Sequence, residues 1–265
     1  MATTPDGPER GGKPTGERRS GQDAATGQDA ATGQDAATGQ DAAPKVVHLY
    51  VLLDRSGSMA SMADDVIGGF NHLLAEQQAD GADSRMTLVQ FDSEDPNEVV
   101  ADAVPIAEML PLDAATFVPR GGTPLLDATA RLIAVGRQRE ATLASVDEAE
   151  EIVFVSITDG HENMSREQSL PAVRSMVAER QAAGWTFVFL GAALDVYGEA
   201  SGLGVSVGNT QSFTPDGTGS RAAFASLSHS TATLRRKVRD HDEIDKDDFF
   251  LGTKPAEDDR RRRSG

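Results

Sequence analysis

The sequence predicts an α/β fold: a doubly wound, mostly parallel sheet with helices on both faces. Three observations carry that expectation. Apolar runs at 46–53, 152–157 and 185–190 are nearly continuous rather than alternating, as in strands buried on both faces. Between them lie segments whose apolar residues recur at helical spacing. The connections are short and turn-rich, so that strands and helices alternate, the pattern of parallel strands joined through helices.

The run 46–53 is broken only by His48, which reads as a satisfied core histidine. Met62, Val66, Ile67, Phe70 and Leu73 then mark a helix, with Asp64 and Asp65 near its start, where the helix dipole favours carboxylates. Asp80-Gly81 closes it, and strands follow at 86–91 and 98–104. Leu125, Leu126, Leu132 and Ile133 define a second helix beginning just after Thr123-Pro124, with Asp127 placed for its N-terminal dipole. Glu151 introduces the strand 152–157. Ser165 with Gln168 resembles a capping box for a third helix, and Pro171 allows an alternative start at Ser169. Gly184 ends that helix, and the strand at 185–190 follows, with Trp185 and Phe187 as core residues. An edge strand is expected around Val205-Ser206-Val207, and a last helix over 221–238.

Residues 1–44 have a different texture. They contain four six-residue units of the type Gly-Gln-Asp-Ala-Ala-Thr, the last ending in Pro44. A β-helix needs an inward branched apolar residue in each turn, and these units offer only alanine. Glycine at every sixth position also opposes a helix. The segment reads as a disordered tether, with a root-mean-square reach of about 35–40 Å if it is a random coil. The expected organisation is therefore 1–44 tether, 45–240 domain and 241–265 charged tail. Phe249-Phe250-Leu251 in that tail either tucks against the domain or docks on a partner. The arginines at 260–263 follow Glu257-Asp258-Asp259 and read as solvated.

Composition narrows the function. No cysteine is present, which excludes thiolate metal sites, catalytic thiols and disulfides, and fits a reducing compartment. The formal charge of −17 opposes a general affinity for nucleic acid. No run approaches the roughly 18 apolar residues of a membrane span, and the first residues lack the apolar core of a signal peptide. The expectation is an acidic cytoplasmic protein with neither nucleic acid nor membrane as partner.

The chemistry-bearing motif is Asp54-Arg55-Ser56-Gly57-Ser58, placed directly after the first apolar run. Open α/β sheets hold ligands at the carboxyl ends of their strands. Asp and Ser are hard oxygen donors suited to magnesium, manganese or calcium rather than to zinc or copper. Two further segments belong at the same sheet end: Gly121-Gly122-Thr123-Pro124 before the second helix, and Thr158-Asp159-Gly160 after the strand 152–157. Taken singly, Ser58 and Thr123 read as helix caps and Asp159 as a turn residue.

In order, however, Asp54, Ser56, Ser58, Thr123 and Asp159 resemble the metal-ion-dependent adhesion site of a von Willebrand factor type A domain, a D-x-S-x-S loop with a distant Thr and a distant Asp. The neighbouring residues resemble it too, in Asp54-Arg55-Ser56-Gly57-Ser58-Met59 and Gly122-Thr123-Pro124-Leu125. The likeness covers about 45–238 and is strongest to stand-alone bacterial intracellular domains. It implies that not every carboxylate binds directly, that water fills at least one position, and that an acidic side chain of a partner protein replaces that water. Magnesium fits such a site best, since it accepts few protein ligands and retains waters.

Other residues near the motif leave two readings open. His161, Glu162 and Asn163 either rim the site or form an exposed loop. Asp92 either supports the ligands or only ends a strand. Arg55, between two ligands, is expected to point away. The resulting function is a non-enzymatic, metal-dependent protein-interaction module with no catalytic residue. The alternative is a magnesium-dependent phosphatase using Asp54, but haloacid-dehalogenase chemistry requires a second Asp where Ser56 stands. A serine hydrolase would need G-x-S-x-G, which is absent around Ser56 and Ser58.

Overall fold

In the computed structural model, which describes residues 45–250, the first apolar run becomes β1 (Val46–Asp54), flanked by β2 (Ser84–Phe91) and β4 (Glu150–Thr158), both parallel to it. The expected tether at 1–44, the arginines at 260–263 and Leu251 lie outside the described residues. Beyond β4 come β5 (Thr186–Gly191) and β6 (Thr210–Ser212), both parallel, and beyond β2 lies the antiparallel β3 (Glu98–Pro105). The sheet order is β3-β2-β1-β4-β5-β6. The chain winds outward from β1 in one direction and then returns to wind outward from β4 in the other.

Alternation along β1 divides the core. Val47, Leu49, Val51 and Leu53 face α1 (Ala63–Ala79) and α5 (Gly217–Asp240), whereas Tyr50 and Leu52 face the layer of α2 (Leu125–Ala144), α3 (Leu170–Ala182) and α4 (Val196–Leu203). Helices on both faces explain why these strands carry no polar side. The two helices α1 and α5 approach closely at Gly69, where a Cβ would stand 2.2 Å from the Phe224 ring. His48 lies wholly inside, its Nδ1 2.8 Å from Glu150 and its Nε2 2.9 Å from Thr87, as a satisfied core histidine should. Glu150 also receives two hydrogen bonds from Arg139.

Several elements differ from the sequence-based expectation. The capping box at Ser165 does not form; α3 begins at Leu170 after Ser169, with Pro171 in its first turn. The edge strand is Thr210–Ser212 rather than 205–207, and α4 was not anticipated. The last helix starts earlier than 221, because the Asp216 carboxylate caps the backbone N–H groups of Thr218 and Gly219.

Packed structure continues past α5. Phe250 is fully buried and Phe249 nearly so. Asn209 fastens this segment beside β6: its Oδ1 accepts from the Phe249 N–H at 2.7 Å, and its Nδ2 donates to the Lys246 carbonyl at 2.7 Å. At the opposite margin β3 carries a bulge, with register shifts against β2 and with Ala103 at φ 50°.

Candidate metal centre

Strand β1 delivers Asp54 to the carboxyl end of the sheet, beside the end of β4, where the winding direction reverses. That crevice is where doubly wound sheets bind ligands. Asp54 is completely buried. Its Oδ1 accepts from the Ser56 N–H at 2.7 Å, and its Oδ2 accepts from the Thr158 hydroxyl at 2.6 Å. Burial nevertheless pushes the Asp54 carboxyl up to about 6, overcoming the hydrogen bonds from Thr158 and Ser56.

The remaining motif oxygens continue from there. Ser56 Oγ lies 3.0 Å from Ser58 Oγ, which donates to Asp159 Oδ1 at 2.8 Å. Burial raises the Asp159 carboxyl above its ordinary value, opposed by the Ser58 hydrogen bond. Thr123 closes the set across Gly160, where an added Cβ would stand 3.2 Å from Thr123 Oγ1 and 3.5 Å from Ser58 Oγ. The five residues identified from sequence thus converge from three loops. No described arginine, lysine or histidine forms an ion pair with Asp54 or Asp159, so nothing among the described residues neutralises them. No group of three or more His, Asp or Glu among the described residues could hold a metal ion either. Any cation centre here must therefore rest on two carboxylates and hydroxyls.

Two clamps hold the loops in place. The first centres on Asp92. Arg55 points away from the site, and its Nε donates to Asp92 Oδ2 at 2.6 Å, where Arg120 Nε also donates at 3.0 Å. Asp92 is fully buried, and its Oδ1 accepts the backbone N–H groups of Glu94 and Asp95. Burial works to raise this carboxyl, but those N–H groups and the two arginines prevail and hold it below the usual range. The backbone repeats the connection: Arg120 N–H donates to the Arg55 carbonyl at 2.8 Å, and Gly57 N–H to the Gly121 carbonyl at 3.0 Å. Gly121 has φ +65°, and a Cβ there would meet Ser93 Oγ at 2.5 Å. Asp92 is therefore a support for the ligand loops.

The second clamp joins the Thr123 loop to the loop after Asp159. Asn163 Oδ1 accepts from Thr123 N–H at 2.9 Å, and Asn163 N–H donates to the Thr123 carbonyl at 3.1 Å. Glu162 Oε2 and Ser165 Oγ accept from the first backbone N–H groups of α2. In return, the Asp127 carboxylate accepts from the N–H groups of Arg166, Glu167 and Gln168. Asp127 thus does more than complement its own helix dipole, and Ser165 caps α2 rather than α3. Glu162 and Asn163 act as fasteners. The role of Thr158 was missed, although its place at the end of β4, in the strand paired with β1, is the signal for it.

No protein-family model and no curated protein matches the sequence. Among solved structures, the chain is similar to the pilus adhesin SpaC from Lactobacillus rhamnosus GG, with 14% identity and a TM-score of 0.54 over 74% of this chain and 31% of the adhesin. A weaker likeness is to the manganese-loaded TRAP protein of Plasmodium vivax, with 15% identity and a TM-score of 0.46 over 68% of this chain and 72% of that one. The chain thus spans about a third of the adhesin, and at such identity the likeness concerns fold alone. Strand order, the antiparallel margin and the likeness in fold to the adhesin agree with the fold that the resemblance of the sequence to a von Willebrand factor type A domain implies.

Proposed function

We propose that the chain is a metal-ion-dependent protein-interaction module, in which Asp54, Ser56, Ser58, Thr123 and Asp159 hold a divalent cation that receives a carboxylate from a partner protein. The observation that carries this reading is the spacing of the oxygens. Magnesium binds oxygen at about 2.0–2.1 Å in an octahedron, so adjacent donors sit about 3.0 Å apart. The Ser56–Ser58 and Ser58–Asp159 oxygen separations are 3.0 and 2.8 Å. The donor chemistry agrees, since hydroxyls and carboxylates suit a hard cation. A bound cation would also supply the counter-charge that Asp54 and Asp159 lack. Magnesium is the preferred ion, with manganese and calcium as alternatives.

Two carboxylates offset at most the charge of the ion, and three hydroxyls are neutral donors. The cation therefore retains pull for an external carboxylate. In a chain of net charge −17, recognition of an acidic partner would depend on this local positive spot rather than on the field of the whole molecule. The residues bind and orient; Ser56 stands where a phosphatase would need its acid/base carboxylate, so binding is favoured over hydrolysis. Calorimetry of the full chain with magnesium chloride tests the assignment. Uptake by the wild type and none by Asp54→Ala is expected. Equal uptake by both would remove the site.

A further inference from the structure

Beside the candidate metal centre lies a cavity of about 310 Å³ between the first turn of α2, the start of α3 and α4. That volume is at the lower end of the roughly 300–1,000 Å³ of ligand pockets. Its apolar walls are Leu125, Leu126, Leu170 and Leu203, and no lysine or arginine lines it. Glu162, Asp195 and Glu199 supply the charge around it, with His161 paired to Glu199. The cavity is continuous in structure with the metal loops. Leu125 and Leu126 follow Thr123, His161 and Glu162 follow Asp159, and the Glu162 carboxylate is bound to the Leu126 N–H at 2.9 Å. Exposed apolar side chains lie at this same end of the sheet: Met164 and Leu194 on loops, the latter 96% exposed, and Leu170 at the start of α3.

From this arrangement we infer that the cavity is the second half of the partner site. Its occupant would be one large apolar side chain of a protein segment whose carboxylate sits on the cation and whose nearby lysine or arginine faces Glu162, Asp195 and Glu199. The inference rests on the metal-dependent reading above and adds to it the composition of the partner segment: acidic, apolar and basic together. Each part has its own cause. The cation selects the carboxylate, the leucine walls select apolar bulk, and the acidic rim selects a cation. The rim also explains how a strongly acidic chain avoids repelling its ligand, because the required basic residue offsets the approach of the acidic one.

Gly202 gives a clean way to close the cavity. It lines the space, and a Cβ added there would meet only Leu170 side-chain carbons at 3.7 and 3.9 Å, ordinary contact distances. Gly202→Leu thus adds its first carbon at ordinary contact distance and brings apolar bulk to the cavity wall from a helix position.

The test selects a random heptapeptide library, displayed on phage, against the immobilised full chain in magnesium chloride with chelator elution. The enriched sequences are then made as peptides and titrated into wild type, Gly202→Leu and Asp54→Ala, with magnesium uptake measured calorimetrically for each. Enriched peptides carrying acidic, apolar and basic residues, bound on the order of tenfold more weakly by Gly202→Leu while its magnesium uptake is unchanged, are the expected result. Acidic peptides bound equally by wild type and Gly202→Leu would overturn the cavity assignment and leave the metal reading standing. Absence of chelator-eluted enrichment despite magnesium uptake would also overturn it. If wild type takes up no magnesium, the metal reading fails first and this inference falls with it. Thermal melting of Gly202→Leu verifies that it is folded.

Discussion

Replacing Asp54 by asparagine should stabilise the metal-free protein, although Asp54 is the central residue of its motif. Moving a buried carboxyl from 3.8 to about 6 corresponds to on the order of 3 kcal/mol of penalty on its charged form. The folded state holds this proton more tightly than the unfolded chain does. Stability contributed by Asp54 therefore falls as pH rises from about 4 to about 6, and stays reduced above that window. Asparagine removes the charge while preserving the contacts. Its carbonyl accepts from Ser56 N–H, and its amide N–H donates to Thr158 Oγ1, whose own proton already has the Gly160 carbonyl 3.2 Å away. The assay is thermal melting of both proteins in chelator at pH 4 and pH 7.5, then in magnesium at pH 7.5. In chelator at pH 7.5 the variant should melt higher by up to roughly 10 °C, and at pH 4 the two should converge. Comparing the pair cancels carboxylates that titrate in both. In magnesium only the wild type gains binding energy, about 2.7 kcal/mol at a hundredfold excess over Kd, so the gap closes. A variant less stable than wild type in chelator at pH 7.5, or a gap unchanged between the two pH values, would refute the reasoning.

Thr123→Ala should lower magnesium affinity by about tenfold, with melting in chelator changed by less than about 1 kcal/mol, since the loop is held through backbone contacts with Asn163; calorimetry and melting measure the two quantities. Asp92→Ala removes one of the two carboxylates on the buried Arg55 guanidinium, Glu98 being the other, and takes the acceptor from the Glu94 and Asp95 N–H groups; it should cost about 3 kcal/mol in urea unfolding, together with magnesium affinity, and a loss below 1 kcal/mol would contradict its clamping role. Burial alone would raise Glu150, but hydrogen bonds from His48 and Arg139 hold it down at about 2. Its stabilising contribution is therefore present above about pH 4.5 and lost as pH falls towards 2, so Glu150→Gln should cost about 3 kcal/mol at pH 7 and flatten the acid limb of the stability profile.

The sequence carried most of the fold because its central strands are buried on both faces, so burial alone writes β1, β4 and β5 as apolar runs. The motif was legible because alternate residues of one loop supply its oxygens. What stayed hidden depends on distant partners. Strand β6 is Thr210-Gln211-Ser212, polar in every position, and it is a strand only because β5 lies beside it. Helix α4 is short and contains Gly198 and Gly202, so its apolar residues Val196, Ala200 and Leu203 do not stand out without the core they pack against. Ser165 followed by Gln168 is a sound local signal for a helix start. It fails because the unpaired N–H groups at Leu126 and Asp127, 39 and 38 residues away, compete for the same hydroxyl.

The two margins of the sheet bear on how the molecule behaves in a crowded solution. An unpaired strand edge is a template on which foreign chains polymerise. Here one margin is bulged and studded with Glu98 and Asp102, and the other is only three residues long, with the segment through Phe250 fastened beside it. Removing residues from Ile244 onward would withdraw that cover and the two phenylalanines together. The exposed β6 would then invite strand exchange between copies, and aggregation rather than simple loss of stability would be the first symptom.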